Sequence, residues 1–295
     1  MPPPSTTPTA VTLHGQPCIR LALPAGDTAT VALHGAQVLS WTTADGAERL
    51  YLSPRAVFDG QAAIRGGVPV CFPQFNQRGP LPKHGFARNL PWTLAPEDAV
   101  ADLPDDAARA VFVLHDSDAT RALWPHGFAA RLTVTLAPSS LEIAFHVCNT
   151  GADAFDFTLA LHSYLRTADV CATRLHGLGG AAFWDAVRDV RHAAEPARAA
   201  EPLGFGTETD RVHAARRAPL RMAEPRGTLE IAQDPVFTET VVWNPGPDLC
   251  ARLADMPPDG WRDMLCVEAA AIDTPARLAP GDAWQGAQRL RVLPA

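Results

Sequence analysis

Hydrophobic and polar residues alternate with a period of two along much of this chain, a pattern that predicts β-strands. The clearest runs cover residues 131–136 and 141–147, and the short turn between them predicts a hairpin. A third run covers residues 155–162. Further strands are predicted at residues 30–33, 37–41, 229–231, 240–243, 264–268 and 288–292.

Turn-forming residues separate these runs, and no amphipathic pattern extends beyond a few helical turns. The pattern therefore predicts an all-β fold, a large and mainly antiparallel β-sandwich. The polar segment 186–227, rich in Ala and Arg, is predicted to form long loops with a short strand near residues 211–213. No linker divides the 295 residues, so we predict one domain over residues 11–295 and a flexible Pro-rich tail over residues 1–10.

Composition and charge argue against several classes of protein. The net charge of −7 argues against nucleic acid and an anionic membrane surface as partners. The chain has no run of about 18 apolar residues and no signal-peptide pattern at its N-terminus. None of the six cysteines falls in a C-x-x-C pair, which predicts reduced core thiols in a cytoplasmic protein and no metal site.

Basic residues concentrate in a Gly- and Pro-rich part of the chain, residues 63–73 and 81–89. Arg65, Lys83 and Arg88 lie there. An arginine fork grips an oxyanion through two parallel hydrogen bonds, and Gly and Pro suit a rigid loop. This part of the chain therefore predicts a site for a small anion. Surface turns with solvated charges explain its composition equally well.

Two ionisable residues lie on the polar side of predicted strands. His162 follows the apolar Leu161 in its alternating run, and Glu268 follows the apolar Val267, so each points to the other side of its strand from that neighbour. If the apolar residues face the interior, both ionisable side chains face the other side of the sheet, where a cleft can form. On strand position alone, an exposed or structural role explains each residue at least as well.

Four segments carry a family resemblance: residues 63–89, 160–165, 177–185 and 242–268. In this order they resemble the hexose-6-phosphate mutarotases, also called glucose-6-phosphate 1-epimerases, a branch of the aldose 1-epimerase superfamily. The resemblance implies a twisted β-sandwich of the galactose-mutarotase-like type with a sugar site on its concave face. It also implies a reaction that needs no cofactor and no metal.

The resemblance assigns the chemistry to two residues. His162 would be the acid that protonates the ring oxygen of the sugar, and Glu268 would be the base that takes the proton of the C1 hydroxyl. Two side chains in opposite protonation states suffice for this reaction. We expect them to face each other across a gap about one sugar ring wide.

The resemblance also implies substrate contacts. Arg65 and Arg88 would bind the phosphate, and Asp185 would accept hydrogen bonds from sugar hydroxyls, although Ala186 replaces the Lys that often follows this Asp in the family. Lys83 stands where the family often has Gln or Ala and is expected to add a third cation or to point into solvent. The other candidates are His84, His126 and Trp243, with Phe72 as a possible apolar contact; a structural hydrogen bond explains His84 equally well, and core packing explains Trp243 and Phe72 at least as well.

On this resemblance we expect a cytoplasmic enzyme, most simply a monomer, that interconverts the α and β anomers of a small-molecule hexose 6-phosphate. One alternative is an aldose 1-epimerase for unphosphorylated sugars, but a neutral sugar does not need two arginines. Another is a non-catalytic protein that binds sugar phosphates, but a pure binder needs no acid–base pair.

Overall fold

Strands far outweigh helices in the computed structural model, which describes residues 7–96, 103–104, 106–198 and 200–294. In chain order the strands are β1 (Thr9–Leu13), β2 (Gln16–Ala22), β3 (Thr28–Ala32), β4 (Val38–Thr42), β5 (Val70–Cys71), β6 (Thr93–Leu94), β7 (Ala108–His115), β8 (Phe128–Ala137), β9 (Ser140–Asn149), β10 (Phe155–Leu161), β11 (Tyr164–Arg166), β12 (Arg174–His176), β13 (Phe183–Asp185), β14 (Val190–His192), β15 (Leu203–Gly204), β16 (Thr209–Ala214), β17 (Leu220–Glu224), β18 (Gly227–Gln233), β19 (Glu239–Asn244), β20 (Met264–Leu278) and β21 (Ala283–Val292). The α-helices are α1 (Asp118–Leu123) and α2 (Gly246–Cys250), and 3₁₀ turns occur at Ala87–Asn89, Val170–Ala172, Pro196–Arg198 and Gly260–Asp263.

The described strands form three antiparallel sheets. The order is β1-β2-β3-β4 in the first sheet and β15-β12-β17-β18-β21-β9-β8-β7-β6 in the nine-stranded sheet. The eight-stranded sheet has the order β14-β13-β16-β19-β20-β10-β5, and β11 also pairs with β20. The predicted hairpin is present, because β8 and β9 pair along their whole length.

The two large sheets pack face to face around one apolar cluster. Leu132 and Phe145 contribute from the nine-stranded sheet, and Leu159 and Val267 contribute from the eight-stranded sheet. Alternate residues of each strand face this interior, as in other β-sandwiches. The predicted all-β antiparallel sandwich is confirmed.

Two boundaries differ from the sequence prediction. Thr9 and Ala10 already pair with β2, so ordered structure begins inside the tail predicted over residues 1–10; residues 1–6 lie outside the described ranges. The segment 186–227 holds β14, β15, β16 and β17 rather than long loops with one short strand. Alternation is weak there because β14 is exposed on both faces and because polar residues also occupy the sheet faces of its neighbours.

The outer face of the eight-stranded sheet carries a second, smaller apolar cluster. It is formed by Cys71, Phe75, Ala160, Val212, Val241, Ala270 and Ile272, against which Trp184 packs. Because strands alternate, these side chains point away from the main core. The functional residues below lie on this outer face.

All six cysteines lie in the described ranges and carry free thiols, and four of them are buried. Within those ranges, no helix is long and apolar enough to cross a bilayer.

Candidate active site

His162 and Glu268 lie side by side because of a break between two strands. Strand β10 pairs with β20 as far as Leu161, and pairing with β20 resumes in β11 at Tyr164. His162 lies in this interval, and its Nδ1 is 3.3 Å from Oε1 of Glu268. The expected gap of one sugar ring between the two groups is therefore wrong, because neighbouring strands bring such side chains into contact.

Burial drives both groups towards their neutral forms. Glu268 is 1% exposed and His162 is 8% exposed. Burial, followed by the neighbouring His84 and the nearby arginines, lowers the pKa of His162 well below its usual value. Burial, followed by the carboxylate of Asp210, raises the pKa of Glu268 well above its usual value. The two pKa shifts favour a neutral imidazole beside a protonated carboxyl, an arrangement with one transferable proton.

Three aromatic side chains surround the His162 ring. Tyr164 stacks on it at 4.7 Å with an interplanar angle of 9°, while Trp243 and His84 meet it edge-on at 6.0 and 5.6 Å. The Nδ1 atom of His84 accepts a hydrogen bond from the Asn76 backbone N–H at 3.3 Å, which leaves its proton on Nε2. Burial, with the charges of nearby cations, lowers the pKa of His84 to about 3. His84 is therefore a neutral hydrogen-bond donor beside the pair.

The strand register adds Asp210, which the sequence interpretation missed. Asp210 of β16 lies opposite Trp243 of β19, and Trp243 lies opposite Cys266 of β20. Paired residues share a face of the sheet, so Asp210 points to the same side as Trp243. Burial raises the pKa of Asp210 to about 6. The predicted strand began at residue 211 and left this carboxylate out.

These side chains line a cleft of about 220 Å³, which we call the pair hollow. Lys83 lines this cleft and is exposed to solvent, so both roles considered for it stay predictions. The lining consists of Arg65, Lys83, His84, His162, Asp210, Trp243 and Glu268, with Phe75, Asn76, Glu208, Val241, Leu249 and Leu253.

A second hollow of about 230 Å³, the arginine hollow, shares Arg65 with the first. Its other lining residues are Ala62, Ala63, Ile64, Pro69, Arg88, Asn89 and Tyr164. The structure therefore brings both predicted arginines together, next to the pair and outside it.

Arg65 is fixed from two sides. Its Nε donates to Oδ2 of Asp255 at 3.0 Å, and one Nη1 hydrogen is donated to the Tyr164 hydroxyl at 3.0 Å. A guanidinium has five N–H donors, so three are left over from these two bonds. Asp255 and Tyr164 thus hold the fork in one orientation between the two hollows.

Arg88 has a donor without a protein acceptor. Its Nη2 donates to the backbone carbonyl of Lys83 at 2.9 Å. Its Nε is buried and has no hydrogen-bond partner within the described ranges. A buried N–H without a partner is costly, and an oxyanion in the arginine hollow would satisfy it.

Two glycines fix the loop that carries these cations. Gly67 has φ 60°, and a Cβ there would lie 2.0 Å from the carbonyl oxygen of Val38. Gly85 has φ 69°, and its Cβ would lie 2.2 Å from the carbonyl oxygen of Phe72. A larger residue at either position would push the loop away from the sheet. The predicted rigid loop is therefore held by close backbone contacts.

Asp185 does not reach either hollow. Its carboxylate accepts hydrogen bonds from the backbone N–H and the guanidinium of Arg188 at 3.1 and 3.2 Å. Its cross-strand partner is Arg211, the neighbour of Asp210 in β16, so strand alternation places Asp185 on the opposite face of the sheet from Asp210. The predicted place of Asp185 in the site is therefore corrected, because it lies outside both hollows, whereas Asp210 lines the pair hollow.

His126 and Phe72 also lie outside both hollows. The ring of His126 packs against Trp124 and Phe155 at 4.8 and 5.4 Å. Phe72 is fully buried and contacts the ring of Phe145 at 5.2 Å. Both residues belong to the packing of the sandwich, which corrects the pocket role predicted for His126.

The arrangement suits two tasks at adjacent positions. The pair hollow offers a proton donor and a proton acceptor in contact with each other, so both can reach two oxygens bonded to one carbon. The arginine hollow offers guanidinium donors for an anion. Asp210 and His84 add an acceptor and a donor for polar groups of a ligand between them.

Comparison with known proteins gives one consistent answer for the sequence. A profile described as aldose 1-epimerase matches residues 17–291. A protein of Cenchrus ciliaris is 35% identical over 276 residues, which cover 90% of this chain and 82% of the relative. A protein of Escherichia coli is 35% identical over 271 residues, with coverage of 90% and 86%. Both carry the provisional name glucose-6-phosphate 1-epimerase.

Solved structures agree. A provisionally named mutarotase (YeaD) from Salmonella typhimurium matches with a TM-score of 0.86 and 31% identity, over 98% of this chain and 94% of that chain. A galactose mutarotase-like protein from Clostridium acetobutylicum matches with a TM-score of 0.74 over 97% and 98% of the two chains. At 15% identity the latter speaks for the fold alone.

Proposed function

The chain belongs to the aldose 1-epimerase family, and from that premise we propose that it interconverts the α and β anomers of a hexose 6-phosphate. One observation carries the choice of substrate: the pair hollow and the arginine hollow meet at Arg65. A sugar whose C1 lies at the pair can then reach the arginines with an anionic group at its other end. The provisional names of the relatives in Cenchrus ciliaris and Escherichia coli agree with this substrate.

The proposed reaction opens and recloses the sugar ring. His162 delivers a proton to the ring oxygen while Glu268 removes the proton of the C1 hydroxyl. The C1–O5 bond breaks, C1 becomes an aldehyde, and the C1–C2 bond rotates. Reclosure on the other face of the aldehyde returns both protons. Acid–base help of this kind is worth roughly 10²–10⁴-fold.

The contact between the two groups suits this reaction because the ring oxygen and the C1 hydroxyl are bonded to the same carbon. In the empty site, burial lowers the pKa of His162 and raises that of Glu268, which favours the form with the proton on Glu268. Its transfer across the 3.3 Å contact to Nδ1 of His162 gives the charged form that the reaction uses. Both forms carry one proton in total, so no proton is exchanged with solvent.

Arg88→Ala tests the substrate. It should weaken binding of glucose 6-phosphate by roughly 1.5–3 kcal/mol, the usual worth of a hydrogen bond to a charged group, and leave any activity on glucose unchanged. Exchange between anomers is measured by NMR for both sugars. Arg20→Ala is the matched control, because Arg20 is an exposed arginine on β2 that lines neither hollow.

Three results would contradict the proposal. Equal losses on glucose 6-phosphate and glucose would assign Arg88 a structural role. A wild-type protein that accelerates the exchange of glucose but not of glucose 6-phosphate would be an epimerase of unphosphorylated sugars. A protein that binds the phosphate but accelerates neither exchange would be a binding protein.

A further inference from the structure

One buried thiol lies against the catalytic pair and has no part in the reaction proposed above. Cys266 and Glu268 are two residues apart in β20, so they share the outer face of the sheet. Cys266 is fully buried, between its cross-strand neighbours Tyr164 and Trp243. The Sγ atom, a ring nitrogen of His162 and a carboxylate oxygen of Glu268 all lie within 4.8 Å of one another.

In the described part of the chain, Oε2 of Glu268 has no hydrogen-bond partner, and the polar atom that faces Nδ1 of His162 is Oε1 of the same carboxyl group at 3.3 Å. The side chain of Glu268 is 1% exposed and that of His162 is 10% exposed. A buried polar atom without a partner is costly and points to a group that completes it. The thiol beside them makes the cluster suitable for a metal ion, because sulfur, imidazole nitrogen and carboxylate oxygen are the ligands of zinc in proteins.

The distances also fit a tetrahedral ion. Bonds of about 2.0–2.1 Å from zinc to nitrogen and to oxygen place those two ligand atoms about 3.4 Å apart. The observed separation of Nδ1 of His162 from Oε1 of Glu268 is 3.3 Å. A zinc–sulfur bond of about 2.3 Å places the third ligand, Sγ of Cys266, about 3.6 Å from the other two ligand atoms. The observed separations are at most 4.8 Å, so the sulfur needs to move by at most about 1.2 Å. The pair hollow supplies room for water as the fourth ligand.

We propose that His162, Cys266 and Glu268 bind a thiophilic divalent cation such as Zn²⁺, and that the bound ion blocks the acid–base pair. Binding displaces the thiol proton of Cys266 and the carboxyl proton of Glu268 into solvent, and the resulting thiolate and carboxylate neutralise the charge of the ion. Arg65 borders the same hollow, and its positive charge opposes the ion, so the site is reversible rather than structural. Bound metal occupies the two atoms that would otherwise transfer protons.

Cadmium titration tests the site without any use of the enzymatic reaction. Cd²⁺ added to the wild-type protein should produce the ultraviolet charge-transfer absorption of a cadmium–thiolate bond. Cys266→Ser should remove that band and weaken binding by at least the ten- to hundredfold that loss of an outer-sphere partner costs. Cys18→Ser removes an equally buried thiol in β2 and should leave the band unchanged.

A second variant covers the case in which Cys266→Ser does not fold. His162→Gln keeps the thiol and should also weaken Cd²⁺ binding at least tenfold. In the wild-type protein, Zn²⁺ should inhibit anomer exchange, and a chelator should restore it. The proposal is overturned if the wild-type protein shows no cadmium–thiolate band, or if the band survives at full strength in folded Cys266→Ser or in His162→Gln. These outcomes do not depend on whether a hexose phosphate is the substrate.

Discussion

The pair hollow and the arginine hollow share one residue and treat charge in opposite ways. In the pair hollow, burial lowers the pKa of His162 and raises that of Glu268, so both lie near their neutral forms. In the arginine hollow, Tyr164 and Asp255 raise the pKa of the Arg65 guanidinium, and an arginine side chain is a permanent cation in proteins. Acid–base catalysis needs groups that can gain and lose a proton, whereas binding an anion needs groups that stay positively charged. The two hollows meet these requirements side by side, because both are lined by Arg65.

The largest effect should come from breaking the pair hollow. Glu268→Gln keeps the shape of the buried side chain but removes its ability to exchange a proton. We expect kcat for anomer exchange to fall by on the order of 10² or more, while the arginine hollow still binds glucose 6-phosphate. NMR exchange gives the rate, and calorimetric titration gives the affinity.

Glu208→Gln is the matched control, because Glu208 lines the same hollow at an exposed position. It should leave kcat nearly unchanged. A folded Glu268→Gln protein with a rate close to that of the wild type would assign the proton transfer to another group.

The pH dependence sharpens the same contrast. The pair works with one proton, so kcat/KM should fall about tenfold per pH unit on both sides of an optimum. With pKa values lowered for His162 and raised for Glu268, the acid limb reports a second proton on the imidazole and the alkaline limb reports loss of the carboxyl proton. Because the groups touch, the two apparent pKa values belong to the pair.

Asp210→Asn checks this assignment, since the Asp210 carboxylate raises the pKa of Glu268. Without that negative charge, Glu268 loses its proton more easily, so the alkaline limb should move to lower pH. A sulfate ester as substrate removes the titration of the phosphate, whose second pKa is about 6. An alkaline limb that moves to higher pH in this variant would be inconsistent with the assignment.

A smaller difference is expected between variants on the two faces of the eight-stranded sheet, in kcat/KM for one face and in stability for the other. Asp210→Asn weakens the acceptor on the pair-hollow face and should lower kcat/KM by about tenfold, the lower end of the worth of a hydrogen bond to a charged group. Asp185→Asn alters the opposite face, where Arg188 holds the carboxylate. It should lower the free energy of unfolding by about 1–2 kcal/mol and leave kcat/KM unchanged. The reverse pattern in kinetics and thermal unfolding would restore Asp185 as the sugar contact.

Strand alternation explains why the sequence located part of the site. His162 and Glu268 lie in or beside the central strands of a sheet buried against the core, where apolar residues mark one face clearly. Asp210 lies in β16, whose residues Thr209–Ala214 include a single large apolar side chain, Val212. The period of two is hardly visible there, so neither the strand boundary nor the face of Asp210 could be predicted.

Contacts between residues on different strands could not be predicted from the sequence for another reason. The contact between His162 and Glu268 depends on the interval between β10 and β11, and the anchoring of Arg65 depends on Asp255, 190 residues further along the chain. Local patterns carry no information on such register or on long-range pairing. The Gly and Pro residues of the cation loop predicted a rigid loop, but not that Gly67 and Gly85 would lie against the backbones of Val38 and Phe72.

Side-chain contacts fix the position of Arg65 relative to His162. Asp255 and Tyr164 hold the guanidinium, and the Tyr164 ring lies flat on His162. The spacing between the proton-transfer atoms and the first cation is therefore built into one stack of side chains, with no flexible segment between them. For the hexose 6-phosphate epimerase proposed above, we expect this fixed spacing to favour a six-carbon sugar 6-phosphate over a five-carbon sugar 5-phosphate.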